Sequence, residues 1–462
     1  MLRTLFEKQK AHAPQMGLTT ARERRARLDA LLDAVMKYRP RFHEALHADF
    51  GKHPAEVDLA ELYPTVREIR HVRSHLRRWL APHRIPTPLP LLGTRSWIRY
   101  EPKGVTLILS PWNFPVNLTF VPLVSAIAGG NTAILKPSEY TPHAAEVMGE
   151  LVRETFDEAE VALVQGGPEV AQALLELPFN HVFFTGSPRV GKLVMAAAAK
   201  QLASVTLELG GKSPTIVDET ADIAAAARRI ALGKYINDGQ ICIAPDYLLV
   251  HESIRDQLVE AIRRQLIAFY TDDPKRSPAL CRVVNEGHFQ RLHELLDDAK
   301  TKGARLVQLG APDAASRYLP PTLLLDVTDD MRVMQEEIFG PLLPVLTFRQ
   351  LDEAIDYVNK GEKPLALYIF SRKRSHINRI LTRTRAGGTA INAAGIHFYN
   401  NNLPFGGSNF SGIGKSHGWY GFQEFTNPRG VTEQRLPGIA EVLAPPYTHF
   451  KQKLLDWALK WF

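Results

Sequence analysis

Two cysteines, Cys242 and Cys281, are the only thiols in the chain. Cys242 stands in Asn237-Asp238-Gly239-Gln240-Ile241-Cys242-Ile243-Ala244-Pro245, after a predicted helix and before a predicted strand. Connections of this kind often present functional groups. A free thiol there acts as a nucleophile or packs as a small hydrophobe. No Cys-His spacing points to a thiol protease. Glu208 closes the apolar run Thr206-Leu207-Glu208-Leu209 and opens into Gly210-Gly211-Lys212. Burying an unpaired acid is costly, so this one is either a general base or the ion-pair partner of a residue such as Lys212. Asn113 lies in Ser110-Pro111-Trp112-Asn113-Phe114-Pro115. Prolines stiffen that loop. The Asn113 amide either faces a developing oxyanion or holds a turn through its own backbone.

Three further segments have the chemistry of a nucleotide site. Phe184-Thr185-Gly186-Ser187-Pro188-Arg189-Val190-Gly191 reads as strand, turn and helix, and free amides at a helix start favour phosphate. Gly186 and Gly191 do not complete Gly-x-Gly-x-x-Gly, and no Gly-Lys-Ser/Thr follows. Lys136 and Glu139, in Ile134-Leu135-Lys136-Pro137-Ser138-Glu139, follow a strand and suit ribose hydroxyls or a phosphate. In Glu336-Glu337-Ile338-Phe339-Gly340-Pro341, taken alone, Glu337 reads equally as a solvated charge and Phe339 as core.

The elements that must position these groups are legible in the hydrophobic pattern. Residues 17–80 are expected to be helical. Thr20 to Glu23 has capping-box spacing, and Leu28, Leu31, Leu32, Val35 and Met36 recur on one helical face. Residues 81–97 form a proline-rich connection. From Val105 onward short runs rich in Val and Ile (Val105–Leu109, Thr132–Leu135, Val161–Val164, His181–Phe184 and Ser204–Leu207) alternate with stretches of helical length. That alternation predicts a parallel sheet covered on both faces. A second series starts at Thr215–Val217 and continues through helix 222–235, strand Tyr247–Val250 and helix 253–269. Residues 270–320 read as helical and polar, without a strand. The fold class is therefore α/β, with two doubly wound parallel-sheet lobes and an irregular arm.

Composition narrows the function classes. The chain has 462 residues, 45% hydrophobic and 23% charged, with a net charge of 56 − 49 = +7. This excludes a disordered chain and a disulfide-stapled scaffold. The basic charges are dispersed, without the dense basic, aromatic-rich face of a nucleic-acid binder. Free thiols fit a reducing compartment, and a cytoplasmic location is expected. The N-terminus lacks the apolar core of a signal peptide, and no stretch reaches the roughly 18 apolar residues of a membrane span. The tail Phe450–Phe462 is amphipathic, with Leu454, Leu455, Trp457, Ala458, Trp461 and Phe462 beside Lys451, Lys453 and Lys460. It is expected to pack on the body of the protein or on a partner subunit, with peripheral membrane contact as the alternative.

Taken together and in order, PWNFP, LKPSE, FTGSPRVG, LELGGKSP, GQICIAPDY, EEIFGP and LPFGGSNFSGIG resemble the aldehyde dehydrogenase superfamily, from about residue 20 to 435. KPLALYIFS, the APDY that follows the cysteine, and LPFGG are similar to the class 3 and fatty aldehyde dehydrogenases. The resemblance implies Cys242 as nucleophile, Glu208 as general base and Asn113 as oxyanion amide. It implies a cofactor crevice made by Ser110, Trp112, Lys136, Glu139, Gly186, Ser187, Val190, Gly191, Leu209, Glu337 and Phe339. NAD is the expected cofactor, with NADP also admitted, and no metal is expected. An apolar substrate tunnel is expected from Tyr63, Trp112, Phe114 and Ile241, suited to aliphatic or aromatic aldehydes. Ser110, Pro111 and Ile241 depart from the class 3 pattern and bear on substrate shape.

The same resemblance implies an NAD-binding domain over 1–80 and 101–209 and a catalytic domain over 210–395. A small β oligomerisation arm is expected over 81–100 and 396–440, followed by a tail over 441–462, in a homodimer. The expected reaction is oxidation of an aldehyde through a Cys242 thiohemiacetal and thioester, hydrolysed with Glu208. A coenzyme-A-acylating enzyme, a cofactor-free esterase and a non-catalytic protein of the same fold are the rival readings. Glu208 argues against the first, and the joint presence of Cys242, Glu208 and Asn113 against the last.

Overall fold

The computed structural model describes residues Met1–Trp461, apart from the side chains of residues 439 and 440. Its element order follows from the runs of apolar residues. Val105–Leu109, Thr132–Lys136, Val161–Leu163, His181–Thr185 and Ser204–Glu208 form parallel strands. Val105–Leu109 is buried at every position, as a strand covered on both faces must be. The chain builds outward from Val105–Leu109 to Thr132–Lys136 and Val161–Leu163. It then crosses back to place His181–Thr185 and Ser204–Glu208 on the other side. Ligand crevices form where strand order reverses in this way. The register sets Leu109 beside both Lys136 and Phe184, and Thr185 beside Glu208. Ser110, Lys136, Gly186 and Glu208 are thereby brought to one edge of the sheet.

A short strand from far along the chain, Gly412–Ile413, pairs antiparallel with Ser204–Glu208 and closes that side of the sheet. The second sheet has seven strands. In order across it they are Arg305–Gln308, Thr322–Leu325, Leu342–Phe348, Tyr247–His251, Pro214–Val217, Ala366–Phe370 and Gly388–Ile391. All pair in parallel except Arg305–Gln308, which is antiparallel to its neighbour. Apolar side chains pack on both faces of each sheet.

The N-terminal helices cover one face of the six-stranded sheet. Thr20 and Glu23 form the expected reciprocal cap at the start of helix Ala21–Phe50. Leu28, Leu31 and Val35 are fully buried, whereas Met36, on the expected apolar face, is exposed. A helix over Leu2–Leu18, outside the expected helical region, buries Phe6 and Met16. Its Gln9 side chain donates to the Ala133 carbonyl at 3.0 Å.

Three expectations are corrected. Residues 270–320 contain the strand Arg305–Gln308, a half-buried edge with only two apolar residues. The connection at 81–97 includes strand His83–Ile85 and the start of Thr94–Pro102. With Thr426–Gln434 these make a three-stranded antiparallel arm, where residues 81–97 were expected to be a proline-rich connection. The C-terminal helix His449–Trp461 has no fully buried residue, and only Lys451, Leu455 and Ala458 are half-buried, so it is not packed into the core of its own subunit. Phe462, assigned above to that face, lies outside the described residues. Among the described residues no helix is long and apolar enough to cross a membrane.

Candidate active site

Cys242 and Glu208 come from different sheets and meet. Glu208 ends strand Ser204–Glu208, while Cys242 lies in the turn that leads into strand Tyr247–His251. Both border an internal space of about 30 Å³, walled also by Leu118, Phe398, Phe405 and Ser416. That is room for a water molecule or two. On its other side Cys242 opens onto an apolar cavity of about 220 Å³. Phe114 and Ile241 line this cavity as expected, together with Leu118, Ile243, Phe398 and Phe405. Tyr63 and Trp112 are not on its wall. Tyr63 is half exposed, its ring tilted against Tyr399 at 6.4 Å. Trp112 turns the other way and packs edge-on against Phe339 at 5.3 Å.

The turn carrying Cys242 is held by unusual backbone. Asn237, Asp238 and Gly239 all have positive φ, at 52°, 53° and 73°. A Cβ on Gly239 would collide with the Gly340 carbonyl, so only glycine permits this close approach. Gln240 fixes the turn from below. Its side chain donates to the Arg282 carbonyl at 3.1 Å and accepts from the Val284 N–H at 3.0 Å. The Asn113 amide reaches across from the six-stranded sheet and donates to the Gln240 carbonyl at 3.0 Å. One of its two amide hydrogens is used in that bond. Cys281 is fully buried behind the turn, its Sγ 3.8 Å from Asn237 Oδ1.

The electrostatics are those of a dry pocket. Lys212, the expected alternative partner of Glu208, pairs with Asp246 and donates to the carbonyls of Val333 and Glu336. Neither Glu208 oxygen has a well-formed hydrogen bond among the described residues. Burial pushes its carboxyl up to about 8, against the pull of the Ser416 hydroxyl and the Lys415 ammonium. Burial, then the charges of Glu337 and Glu208, pushes the Cys242 thiol up to about 12, while its own N–H and that of Ile243 pull it down. Glu337 is raised to about 8, again chiefly by burial.

The remaining expected residues stand at or just beyond the carboxyl ends of the strands of the six-stranded sheet and in the loop before strand Leu342–Phe348. The Ser110 hydroxyl and Glu337 Oε1 are buried and have no hydrogen-bond partner among the described residues. Glu337 lies directly over Gly210, where a Cβ would collide with its carboxylate. Lys136 is buried and its ammonium bonds Glu139 at the surface, 3.1 Å away. Ser187 caps helix Pro188–Ala199 by accepting from the Val190 N–H at 3.4 Å. Leu209 packs on Gly191, whose Cβ would sit 2.7 Å from it, so the helix start lies close against the sheet. A buried hydroxyl and carboxylate, a lysine–glutamate pair at a strand end and a helix start are groups of the kind that bind the hydroxyls and phosphates of a dinucleotide.

The aldehyde dehydrogenase family model matches residues 2–431. The chain belongs to that family. It is 42% identical to human aldehyde dehydrogenase family 3 member B1, covering 95% of this chain and 93% of the relative. It is 45% identical to the 4,4'-diaponeurosporen-aldehyde dehydrogenase of Staphylococcus aureus, covering 92% of each. The solved substrate-bound state of Staphylococcus aureus AldH superposes with a TM-score of 0.95 at 43% identity, covering 99% of both chains. This chain is accordingly an NAD(P)-dependent aldehyde dehydrogenase of class 3 type.

Within this aldehyde dehydrogenase, Lys52, Glu56, Glu61, Asn237, Gln240, Phe398, Phe405, Lys415 and Ser416 all border the site or its supports and escaped the sequence reading. Most stand in segments without periodicity. The one available signal was local: Gly51-Lys52-His53-Pro54 marks a helix end followed by a new helix start. Gly239→Ala is expected to destabilise the fold by about 1–3 kcal/mol and to cut turnover at least tenfold. Thermal unfolding and steady-state rates on the same preparation check this, and a variant with wild-type rates contradicts the turn geometry.

Proposed function

We propose that this enzyme oxidises medium- to long-chain aliphatic or aromatic aldehydes to their acids through covalent attachment to Cys242. The observation that carries this reading is the position of Cys242, between an apolar cavity on one side and a water-sized space shared with Glu208 on the other. The cavity receives the hydrocarbon part of the aldehyde, and its wall leaves a charged substrate without a partner. Attack by Cys242 Sγ on the carbonyl carbon places negative charge on the aldehyde oxygen. The free hydrogen of the Asn113 amide and the Cys242 N–H stabilise that charge. Glu337 and Phe339 would hold a nicotinamide cofactor beside this carbon, and the cofactor would supply the hydride acceptor that the oxidation needs. Glu208 then takes a proton from water in the shared space, and the hydroxide formed releases the acid from the thioester.

For the cofactor, Lys136 and Glu139 hold the adenosine ribose and the start of helix Pro188–Ala199 holds phosphate, with Glu337 and Phe339 at the nicotinamide end. Glu139 favours NAD, because its carboxylate repels an added phosphate. For assembly, strand Thr426–Gln434 pairs on one side only and is exposed along most of its length. A nine-residue open edge invites pairing, and a second copy of this chain is the proposed partner. The exposed Phe450 and Trp461 of the C-terminal helix are assigned to the same contact.

Four expected outcomes follow from this assignment. Glu208→Gln keeps a burst of about one NADH per site and then stalls, while Cys242→Ser removes both phases. In the wild type, deacylation-limited turnover rises with pH through about 8, as Glu208 loses its proton, and this limb is absent from the glutamine variant. Normal steady turnover in Glu208→Gln sinks the assignment. In the cofactor series, kcat/KM with NAD exceeds that with NADP by about tenfold or more, and Glu139→Gln narrows the gap; an enzyme favouring NADP refutes the role of Glu139. Sedimentation at micromolar concentration shows a dimer that weakens on truncation after Pro446, with turnover of a short soluble aldehyde unchanged. A monomeric wild type contradicts the assembly.

A further inference from the structure

Lys52 and Glu61 have no exposed surface, and their charged groups face each other with Nζ and Oε1 3.2 Å apart. Two charges withdrawn from water are a net cost unless further hydrogen bonds complete them. Here each charge makes its second bond to the same stretch of chain. Lys52 Nζ donates to the main-chain carbonyl of Asn113 at 3.1 Å. Asn117 N–H, at the start of helix Pro115–Gly129, donates to Glu61 Oε2 at 2.9 Å. The Lys52 ammonium also lies 4.6 Å from the ring centres of both Phe50 and Phe114. A cation held between two aromatic faces in a dry site has little freedom to move.

The backbone is arranged to deliver these two side chains. Helix Ala21–Phe50 ends at Gly51 with φ of 71°, which turns the chain before Lys52. Residues Asp58–Leu62 form a π-helical turn. Such turns are rare and concentrate at functional sites. In this one, Leu59 and Ala60 lie on the wall of the apolar cavity, and the next residue, Glu61, is fully buried against Lys52. The Asn113 carbonyl is held from a second side by Asn237 Nδ2 at 3.0 Å. The Asn237 N–H in turn donates to Glu56 Oε1 at 2.8 Å. The peptide of Asn113 is thus pinned by a lysine from the N-terminal layer and an asparagine from the cysteine turn.

We propose that Lys52 and Glu61 are positioning residues: their ion pair fixes the Asn113 peptide so that the side-chain amide points at the aldehyde oxygen bound at Cys242. This rests on the reading of Asn113 as the oxyanion donor. Pinning the main chain sets the direction of the amide before substrate arrives, and preorganised donors act on the transition state more than on binding. The pair therefore acts on kcat and leaves the aldehyde KM nearly unchanged.

A double-mutant cycle tests this. Lys52→Met with Glu61→Met removes both charges together, so no lone charge is left buried. Glu61→Gln, which keeps an acceptor for Asn117, serves if the paired variant does not fold. Burst rate, kcat and KM are measured for each, in the wild type and in Asn113→Ala. The expected result is a fall of about 10- to 100-fold in burst rate and kcat, with KM within about threefold. In Asn113→Ala, already slow, the same substitutions cause no further loss, because they act through that amide. Losses that multiply in the Asn113→Ala background overturn the proposal while leaving the oxyanion reading intact. So does a wild-type kcat in the paired variant. An Asn113→Ala enzyme of wild-type rate instead defeats the oxyanion reading, and the positioning role with it.

Discussion

A hydrogen bond from the Asn113 amide to the Gln240 carbonyl, with a second from the Asn237 amide to the Asn113 carbonyl, joins the two halves of the site. Asn113 follows a strand of the six-stranded sheet, and Gln240 precedes a strand of the seven-stranded one. Neither loop has a reason of its own to stop where it does. The prolines that flank Asn113, the run of positive φ from Asn237 to Gly239 and the anchoring of Gln240 to residues 282 and 284 all serve to make that junction reproducible. Chemistry that needs a nucleophile and an oxyanion donor within about 3 Å of the same substrate atom cannot tolerate slack between sheets.

Burial has a second effect beyond holding shape. Two carboxyl groups, Glu208 and Glu337, face the thiol, and each raises it through its charge. Both are themselves raised to about 8 by the dry surroundings. Near neutral pH they are therefore held mostly as neutral acids, and the repulsion they exert on a forming thiolate is correspondingly small. One cause, the exclusion of water, both hinders ionisation of the thiol and silences the neighbours that would hinder it more.

How much of this was legible depended on how each residue is used. The strand Val105–Leu109 is read to the residue because five consecutive apolar positions are buried on two faces. Arg305–Gln308 is not, because an antiparallel edge strand with two apolar residues leaves no such run. Cys242, Glu208 and Asn113 stood out because each departs in type from its surroundings, but their roles came from the resemblance to the family and not from residue type. The supports were not. Lys52 and Glu61 are nine positions apart, and one sits in a π turn that no regular period encodes. Tyr63 and Trp112 were placed in the tunnel on side-chain type alone. The direction of a side chain comes from backbone that the pattern does not specify, and both point elsewhere.

The pairing of Glu208 with Gly412 joins the middle of the chain to a segment near its end. Without that segment the strand that Glu208 ends would be the outermost of its sheet, with one side unpaired. Ser416 and Lys415, the groups that act on it in the finished pocket, arrive with the same stretch. The pocket that tunes the base is therefore finished by residues far along the chain from the strand that carries it.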